Sequence, residues 1–449
     1  MQNTPRNRLT SASQGEIGQA TGRKKNAVPH EPRIVENPSS ERRGRPTRAK
    51  GDLPVQRQDM HPTKHRAGDA DIVRVKTGVD RTMLVLILLL LSLGSIMVFS
   101  ASYPSALAQE GDSLYYIKKQ LLFIGIGLAF MIGLSYLPLK MYKTLTIAVF
   151  AFAVFLLIIV LIPGIGISNG EARRWLGLKG TSFTFQPSEI MKVALVMMLA
   201  WYLDVFRDAV LDRTNKKRCF MVGTLIPCAF VGFACILVML EKHLSGTIIV
   251  GMIGVCVMFI GGVHPGWMSA VVGVGGLGAI AAFLAANPYA WKRITSFTDE
   301  NADKLDEAWQ TTQGLYAIGS GGALGVGLGA SRQKYSYVSE AQNDFIFTIW
   351  CEEMGFVGAV VLIVLFLLFI WRGYVIAMRA PDTFSALTVF GIISQVGIQA
   401  FLNIGVVTDV LPNTGIALPF FSYGGTSLII LLMEMGVVLS VSKHSYQKK

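Results

Sequence analysis

Of the 449 residues, 52% are hydrophobic and only 16% are charged, and the mean hydropathy is +0.48, so most of the chain is expected to be solvated by lipid rather than water. The formal charge of +12 would suit nucleic acid in a soluble protein, but much of the excess lies in the first 81 residues and no folded basic module accompanies it, so no nucleic-acid partner is expected. The five cysteines and six histidines show no metal-ligand spacing, which argues against a disulfide framework or a His-built metal centre.

Residues 1–78 are rich in Arg, Lys, Pro, Gln, Gly and Ser and nearly lack aromatics. Such a composition cannot bury enough apolar surface to offset its ordering entropy, so a disordered basic tail is expected. Residues 79–449 read as one membrane domain. A helix needs about 20 residues to cross a hydrocarbon core of about 30 Å. Ten apolar segments approach that length: Thr82 to Ser102, Tyr116 to Leu137, Thr144 to Pro163, Ser188 to Phe206, Phe220 to Leu240, Gly246 to Gly262, Trp267 to Ala286, Asp344 to Trp371, Thr383 to Val406 and Thr426 to Val441. Their continuous hydrophobicity excludes a closed β-barrel. The expected fold is an all-α polytopic membrane protein with ten transmembrane helices.

The tail, Lys140 with Lys143, the Arg213-Thr-Asn-Lys-Lys-Arg218 loop, Arg372 with Arg379, and the C-terminal lysines fall on one side. The positive-inside rule makes that side cytoplasmic, with both termini inside. The largest outer loop, residues 287–343, then lies between helices 7 and 8. Outer loops still hold Arg173, Arg174, Lys179, Arg332 and Lys334. A phosphate-bearing lipid headgroup or intermediate would compensate for these cations, although ordinary outer loops also carry some Lys and Arg.

Four polar residues are expected inside the membrane. Glu189 and Lys192, three apart on one helix, share a face and can pair. Glu353, beside Glu352, and Glu434 interrupt later apolar runs; intramembrane acids either serve function or knit helices together. The glycine run from Gly319 to Gly329 lacks the preceding strand and the following Gly-Lys-Ser/Thr of a nucleotide loop, so close backbone packing or a re-entrant segment is the better reading.

Several motifs, in order, carry a resemblance. Arg173-Arg-Trp-Leu, Phe185-Gln-Pro-Ser-Glu189, Gln313-Gly-Leu-Tyr-Ala-Ile-Gly-Ser-Gly-Gly322, Ser331-Arg-Gln-Lys-Tyr335, Asp344-Phe-Ile-Phe347, Glu352-Glu-Met-Gly-Phe356 and Leu418-Pro-Phe-Phe-Ser-Tyr-Gly-Gly425 resemble the FtsW/RodA/SpoVE proteins, the SEDS family, and more the division and sporulation branch than the elongation branch. The resemblance implies a peptidoglycan glycosyltransferase that polymerises lipid II into glycan strands during cell division. It implies a class B penicillin-binding transpeptidase and other divisome membrane proteins as partners, and the bacterial cytoplasmic membrane, at the septum, as location. An Asp that family members need lies in the large outer loop, and the family pattern Arg-x-x-x-Phe-x-Asp-Pro-x-x-Asp aligns with Arg293 to Asp303. Three departures stand out. Glu241-Lys-His-Leu-Ser-Gly-Thr247 has Lys242 and His243 where Pro and Asp are common, Glu300 follows Asp299 where Pro is usual, and Ala417 replaces Pro.

The pyrophosphate of lipid II is already a good leaving group, so the second carboxylic acid that glycosidases use is not required. On this reading Asp303 is the catalytic base that takes the proton from the acceptor 4-hydroxyl. Arg174, Lys179, Arg332 and Lys334 would hold pyrophosphate, and Trp175, Glu340, Asp344 and Ser422 complete the candidate substrate-binding set. A divalent cation, Mg²⁺ or Mn²⁺, is left open. The competing readings are a lipid II flippase, in which Glu189, Lys192, Glu353 and Glu434 would line a headgroup path, and a divisome scaffold without activity.

Overall fold

The computed structural model describes residues 72–73, 78–169, 172–177, 184–286, 291, 309–335, 337–445 and 447–448. The expected disordered tail falls outside these, apart from 72–73 and 78. The architecture is helical: α1 (Arg81–Glu110), α2 (Tyr115–Ser135), α3 (Leu139–Leu161), α4 (Pro187–Val205), α5 (Arg207–Leu211), α6 (Lys216–Leu240), α7 (Leu244–Ile260), α8 (Pro265–Ala286), α9 (Trp309–Ser320), α10 (Ile346–Met378), α11 (Thr383–Val407) and α12 (Gly425–Lys443). Among the described residues, seven helices (α1, α2, α3, α6, α10, α11 and α12) are long and apolar enough to cross a membrane. The other three expected segments correspond to α4, which carries charge, to α7, which has 17 residues, and to α8.

Helix ends differ from the hydropathy boundaries for a physical reason: hydropathy registers only the lipid-immersed part, whereas helices continue into the headgroup zone. Thus α3 begins at Leu139 and includes Lys140 and Lys143, which precede the apolar segment expected from Thr144. Likewise α1 runs on through Pro104 to Glu110, where Gly111 ends it in the left-handed region at φ 71°. At its start the Asp80 side chain accepts from the Met83 amide at 2.9 Å, satisfying one of the free donors of the first turn. Asp382 caps α11 in the same way through Ser385. Pro187 opens α4 at a position where a missing N–H is harmless, and Gln186 before it makes no side-chain cap.

The all-α expectation needs one correction. Strands β2 (Gly166–Asn169), β3 (Ala172–Gly177) and β4 (Thr184–Phe185) form an antiparallel sheet between α3 and α4. Strands of two to six residues are invisible to a search for 20-residue apolar runs. Two further short strands, β1 (Ile72–Val73) and β5 (Gln447–Lys448), pair antiparallel.

Helices α4, α11 and α12 are the most buried and pack on their neighbours from several sides, while α2, α3 and α10 expose many large apolar side chains, as lipid-facing helices do. Polar bonds lock the two ends of the bundle. At one end Arg372 Nε donates to Asp80 at 3.1 Å, the Asp80 amide donates to Ser442, Lys443 donates to the Ser135 carbonyl and Lys143 pairs with Asp204. At the other end Thr426 donates to the Thr184 carbonyl, Ser245 donates to the Thr414 carbonyl and the Tyr423 amide donates to the Gln342 carbonyl at 2.8 Å.

The glycine run packs by close backbone contact. The Val326 and Gly327 amides donate to the Glu352 and Glu353 carbonyls at 3.0 Å, and the Phe356 amide donates to the Gly322 carbonyl. Those exchanges open α10 at Gly355, whose φ of 66° and ψ of −168° break the helix. A Cβ on Gly321 would stand 2.1 Å from the Cys351 carbonyl oxygen, which is why a side chain cannot replace hydrogen here.

Candidate active site

A polar cavity of about 580 Å³ opens at the end of the bundle that carries the β2–β4 sheet and the 339–344 and 415–424 loops. It reaches down between α4, α11 and α12 to Gln395 and Leu431. Six residues singled out in the sequence line it together: Trp175, Glu189, Lys192, Glu340, Asp344 and Ser422.

Helix α4 supplies the floor. Lys192 Nζ lies 2.8 Å from Glu189 Oε2, the pairing expected from their spacing, with the lysine buried and the glutamate partly open. Lys192 reaches the cavity because α4 is hemmed in by α3, α7 and α11. Helix α11 supplies the wall through Gln395 and Gln399, which share a face with Asn403 at four-residue spacing. Asn403 Nδ2 donates to the Asp344 and Ile416 carbonyls, each at 2.7 Å, and so holds the two loops of the rim together. Behind the wall, Gln395 Nε2 donates to Glu434 at 2.9 Å. Glu434 is therefore buried one side chain away from the cavity, not on it.

The 415–424 loop is held rigidly. The Leu418 amide donates to Ser422 Oγ at 2.8 Å and the Ser422 amide returns to the Leu418 carbonyl at 3.0 Å. Phe420 adopts φ 62°, a left-handed conformation that a bulky residue takes only when its surroundings impose it. Its ring is buried edge-on against Phe369, 5.4 Å between centroids, and Gly94 of α1 lies against the Phe420 carbonyl, where a Cβ would clash.

The structure treats differently two neighbours that the sequence grouped. Trp175 lines the cavity, whereas Arg174, the residue that the β2–β3 register skips, donates to the Lys242 carbonyl and is not among the lining residues. Lys334 is also placed elsewhere. It is buried, paired with Glu353 at 3.0 Å, and bonded to Ser100 and the Gly329 carbonyl. Ser331 donates to Glu352, and the Arg332 amide donates to Glu352 at 2.9 Å while its side chain is exposed. Lys334 and Glu353 thus belong to an ionic cluster that pins the 331–335 segment to α10, apart from the cavity. Lys179 and Asp303 lie outside the described residues.

The sequence reading missed Gln186, His243, Gln310, Asn343, Gln395 and Gln399, all of which line the cavity. The amides at four-residue spacing within an apolar segment were the available signal. His243, in the turn between α6 and α7, takes a hydrogen bond on Nδ1 from Gln186 Nε2 at 3.0 Å. Burial, then the charges of Arg174 and Lys192, push its pKa down to about 3, so the ring is neutral. Beside it in the turn, burial pushes Glu241 up to about 8 despite Arg174. Among the described residues no three His, Cys, Asp or Glu side chains come together as a metal-binding group.

Chemically, the cavity offers one paired cation, several neutral amide donors, an aromatic face and two carboxylates at its rim. That is a surface for a large polar headgroup rather than for an apolar ligand.

The family model of the FtsW/RodA/SpoVE cell cycle proteins matches residues 80–447. Stage V sporulation protein E of Bacillus subtilis is 40% identical over 373 residues, which are 82% of this chain and 98% of the relative. A probable peptidoglycan glycosyltransferase FtsW of a Geobacter species (strain M18) is 37% identical, over 81% of this chain and 97% of its own. Among solved structures, a chain from a peptidoglycan synthase complex with coordinated polymerization and crosslinking aligns with a TM-score of 0.64 at 27% identity, over 81% of this chain and 97% of that one. The rod shape determining protein RodA of Thermus thermophilus aligns with a TM-score of 0.59 at 26% identity, over 82% and 98%.

Proposed function

Because the chain belongs to the FtsW/RodA/SpoVE family of cell cycle proteins, we propose that it is a peptidoglycan glycosyltransferase that polymerises lipid II at the outer face of the cytoplasmic membrane. The observation that carries this reading is the polar cavity, which gathers Trp175, Glu189, Lys192, Glu340, Asp344 and Ser422 from four separate stretches of chain. The names of the FtsW relatives support the activity. The synthase complex supports a crosslinking partner, a class B penicillin-binding transpeptidase.

The chain crosses the membrane ten times with both termini inside, which turns the basic end of the bundle to the cytoplasm and the cavity outward. Lipid II enters between helices with its headgroup in the cavity. Asp303 takes the proton from the acceptor 4-hydroxyl as its oxygen attacks the anomeric carbon of the donor. The carbon–oxygen bond to the lipid pyrophosphate breaks on the opposite face, so configuration inverts. Lys192, with Arg174 and Lys179, carries the charge that builds on the pyrophosphate; Arg332 sits on the 331–335 segment, apart from the cavity. Lys334 is left out of that role because its ammonium is occupied by Glu353. That same pairing weighs against a flippase path through Glu353.

The test is reconstitution of the full chain with its transpeptidase partner and lipid II. Polymer from the wild type and none from Asp303→Asn is expected. Undiminished polymer from Asp303→Asn would sink the assignment of the base. Headgroup translocation in liposomes without polymer would replace the enzyme with a flippase.

A further inference from the structure

His243 stands where the family pattern has a carboxylate, yet its surroundings suit neither an anion nor a cation. Gln186 Nε2 can only donate, so Nδ1 of the ring accepts at 3.0 Å, and the Ser188 hydroxyl approaches the same atom at 3.5 Å. An imidazole that accepts on Nδ1 carries its proton on Nε2. No described residue accepts from Nε2, and the ring is only half-buried on the cavity wall, so this N–H is the edge that the cavity reaches. The ring is also fixed in place. It rests on Gly246, where a Cβ would lie 2.5 Å from Nδ1, and the His243 carbonyl accepts from the Thr247 amide at 3.0 Å. The charged groups around it are Glu189 and Lys192 on α4, Arg174 on β3, and Glu241 and Lys242 in its own turn. Burial, then the charges of Arg174 and Lys192, opposes protonation of the ring, so it remains a neutral donor.

We propose that His243 determines specificity by donating a hydrogen bond from Nε2 to the acetamido carbonyl of the glucosamine unit of the substrate. This rests on the reading of the cavity as a lipid II site. A phosphate oxygen would be matched better by the lysines and arginines, whereas an uncharged N–H matches an uncharged carbonyl. Of the two sugars of lipid II, the glucosamine unit carries neither the peptide nor the pyrophosphate, so it is the one that suits a neutral contact. A site built to bond a polar group rejects the analogue that lacks it far more strongly than an apolar pocket rejects a change of size.

The experiment measures binding of lipid II, and of lipid II deacetylated on its glucosamine unit, to the full chain in phospholipid nanodiscs. Wild type, His243→Phe and His243→Gln are compared, and their melting temperatures are recorded alongside. The hydrogen bond is expected to contribute about tenfold to the preference of the wild type for the acetylated substrate, the order of one neutral hydrogen bond with its desolvation. The preference of His243→Phe should be about tenfold smaller than that of the wild type, and His243→Gln, which keeps an N–H donor, should restore most of the difference. Comparing the preferences of two proteins cancels the charge of the new amine, which is common to both. Full preference retained by His243→Phe overturns the proposal, as does a Gln variant that behaves like Phe. Binding does not require turnover, so these outcomes stand apart from the polymerisation assay that tests the enzyme reading.

Discussion

Lys334 Nζ lies 3.0 Å from Glu353 Oε1 with both side chains almost wholly buried. The pair is fully bonded: Ser100 Oγ donates to the carboxylate at 2.7 Å, and the ammonium reaches the Gly329 carbonyl at 2.7 Å. Removing one partner of such a pair leaves an uncompensated buried charge, at a cost of about 3–5 kcal/mol. Lys334→Met should therefore lower the melting temperature strongly, and Lys334→Met with Glu353→Gln should recover much of the loss. If instead Lys334→Met melts like wild type while its affinity for lipid II collapses, the lysine is a phosphate ligand and the cluster is not structural.

The Glu189–Lys192 pair differs because it faces the cavity. Two effects can be separated by exchanging the charges. Glu189→Lys with Lys192→Glu keeps an ion pair on one helix face, so stability should fall little. The cation, however, moves about one turn from its place, and removal of a single well-placed charge-stabilising group typically costs about 10²- to 10³-fold in rate. Polymerisation by the exchanged protein should drop by that order, and Lys192→Met should drop as far. An exchanged protein that polymerises normally would reduce the pair to a helix-knitting role.

Comparison with the sequence shows where each level of information ends. Apolar runs locate the helices, because every backbone group in lipid must be satisfied within its own segment. Their ends do not follow, since Lys140 and Lys143 are helical although they precede the apolar run. Residue type marked Glu189, Lys192, Glu340 and Asp344 as worth attention, and all four meet in the cavity. Partners were less legible. The lysine of Ser331-Arg-Gln-Lys334 reads like a phosphate ligand until the buried Glu353 beside it is known. Arg174 and Trp175 look like one unit until the irregularity in the β2–β3 register is known, with Trp175 on the cavity and Arg174 bonded to the Lys242 carbonyl. Gln395 and Gln399 were passed over because uncharged amides barely lower the hydropathy of a span, although their spacing was in plain sight.

Gly325 and Gly319 make a paired prediction. Gly325 has φ 82°, and a Cβ there would lie 2.1 Å from the Glu353 carbonyl oxygen, which is backbone and cannot swing aside. Gly325→Ala should therefore prevent the glycine run from docking on α10 and should sharply reduce the yield of folded protein. Gly319, in the last turn of α9, has nothing among the described residues within 4 Å of its would-be Cβ. Gly319→Ala should be neutral or slightly stabilising, since Ala exceeds Gly in helix propensity by about 1 kcal/mol. Equal behaviour of the two variants, measured as monodisperse protein after extraction, would contradict the close-packing account of this run.

Glu241 supplies the pH prediction. Its side chain is buried, neither carboxylate oxygen has a hydrogen-bond partner among the described residues, and burial raises its pKa to about 8, with Arg174 only partly opposing the shift. An acid whose folded pKa lies above its unfolded value binds a proton more tightly in the native state. Between the ordinary glutamate value and about 8, the native state therefore holds a proton that the unfolded state has lost, and stability falls as pH rises. The contribution is complete below the ordinary value and is lost as pH climbs through about 8. Glu241→Gln keeps the neutral amide at every pH and should remove this slope. Melting temperatures of wild type and Glu241→Gln, taken in nanodiscs at intervals from about pH 5.5 to about pH 8.5, should converge at the acidic end and diverge at the alkaline end, with the variant the more stable there by a few degrees. Parallel curves, or a wild type that gains stability with alkali relative to the variant, would mean that Glu241 is ionised in the folded protein and paired with Arg174.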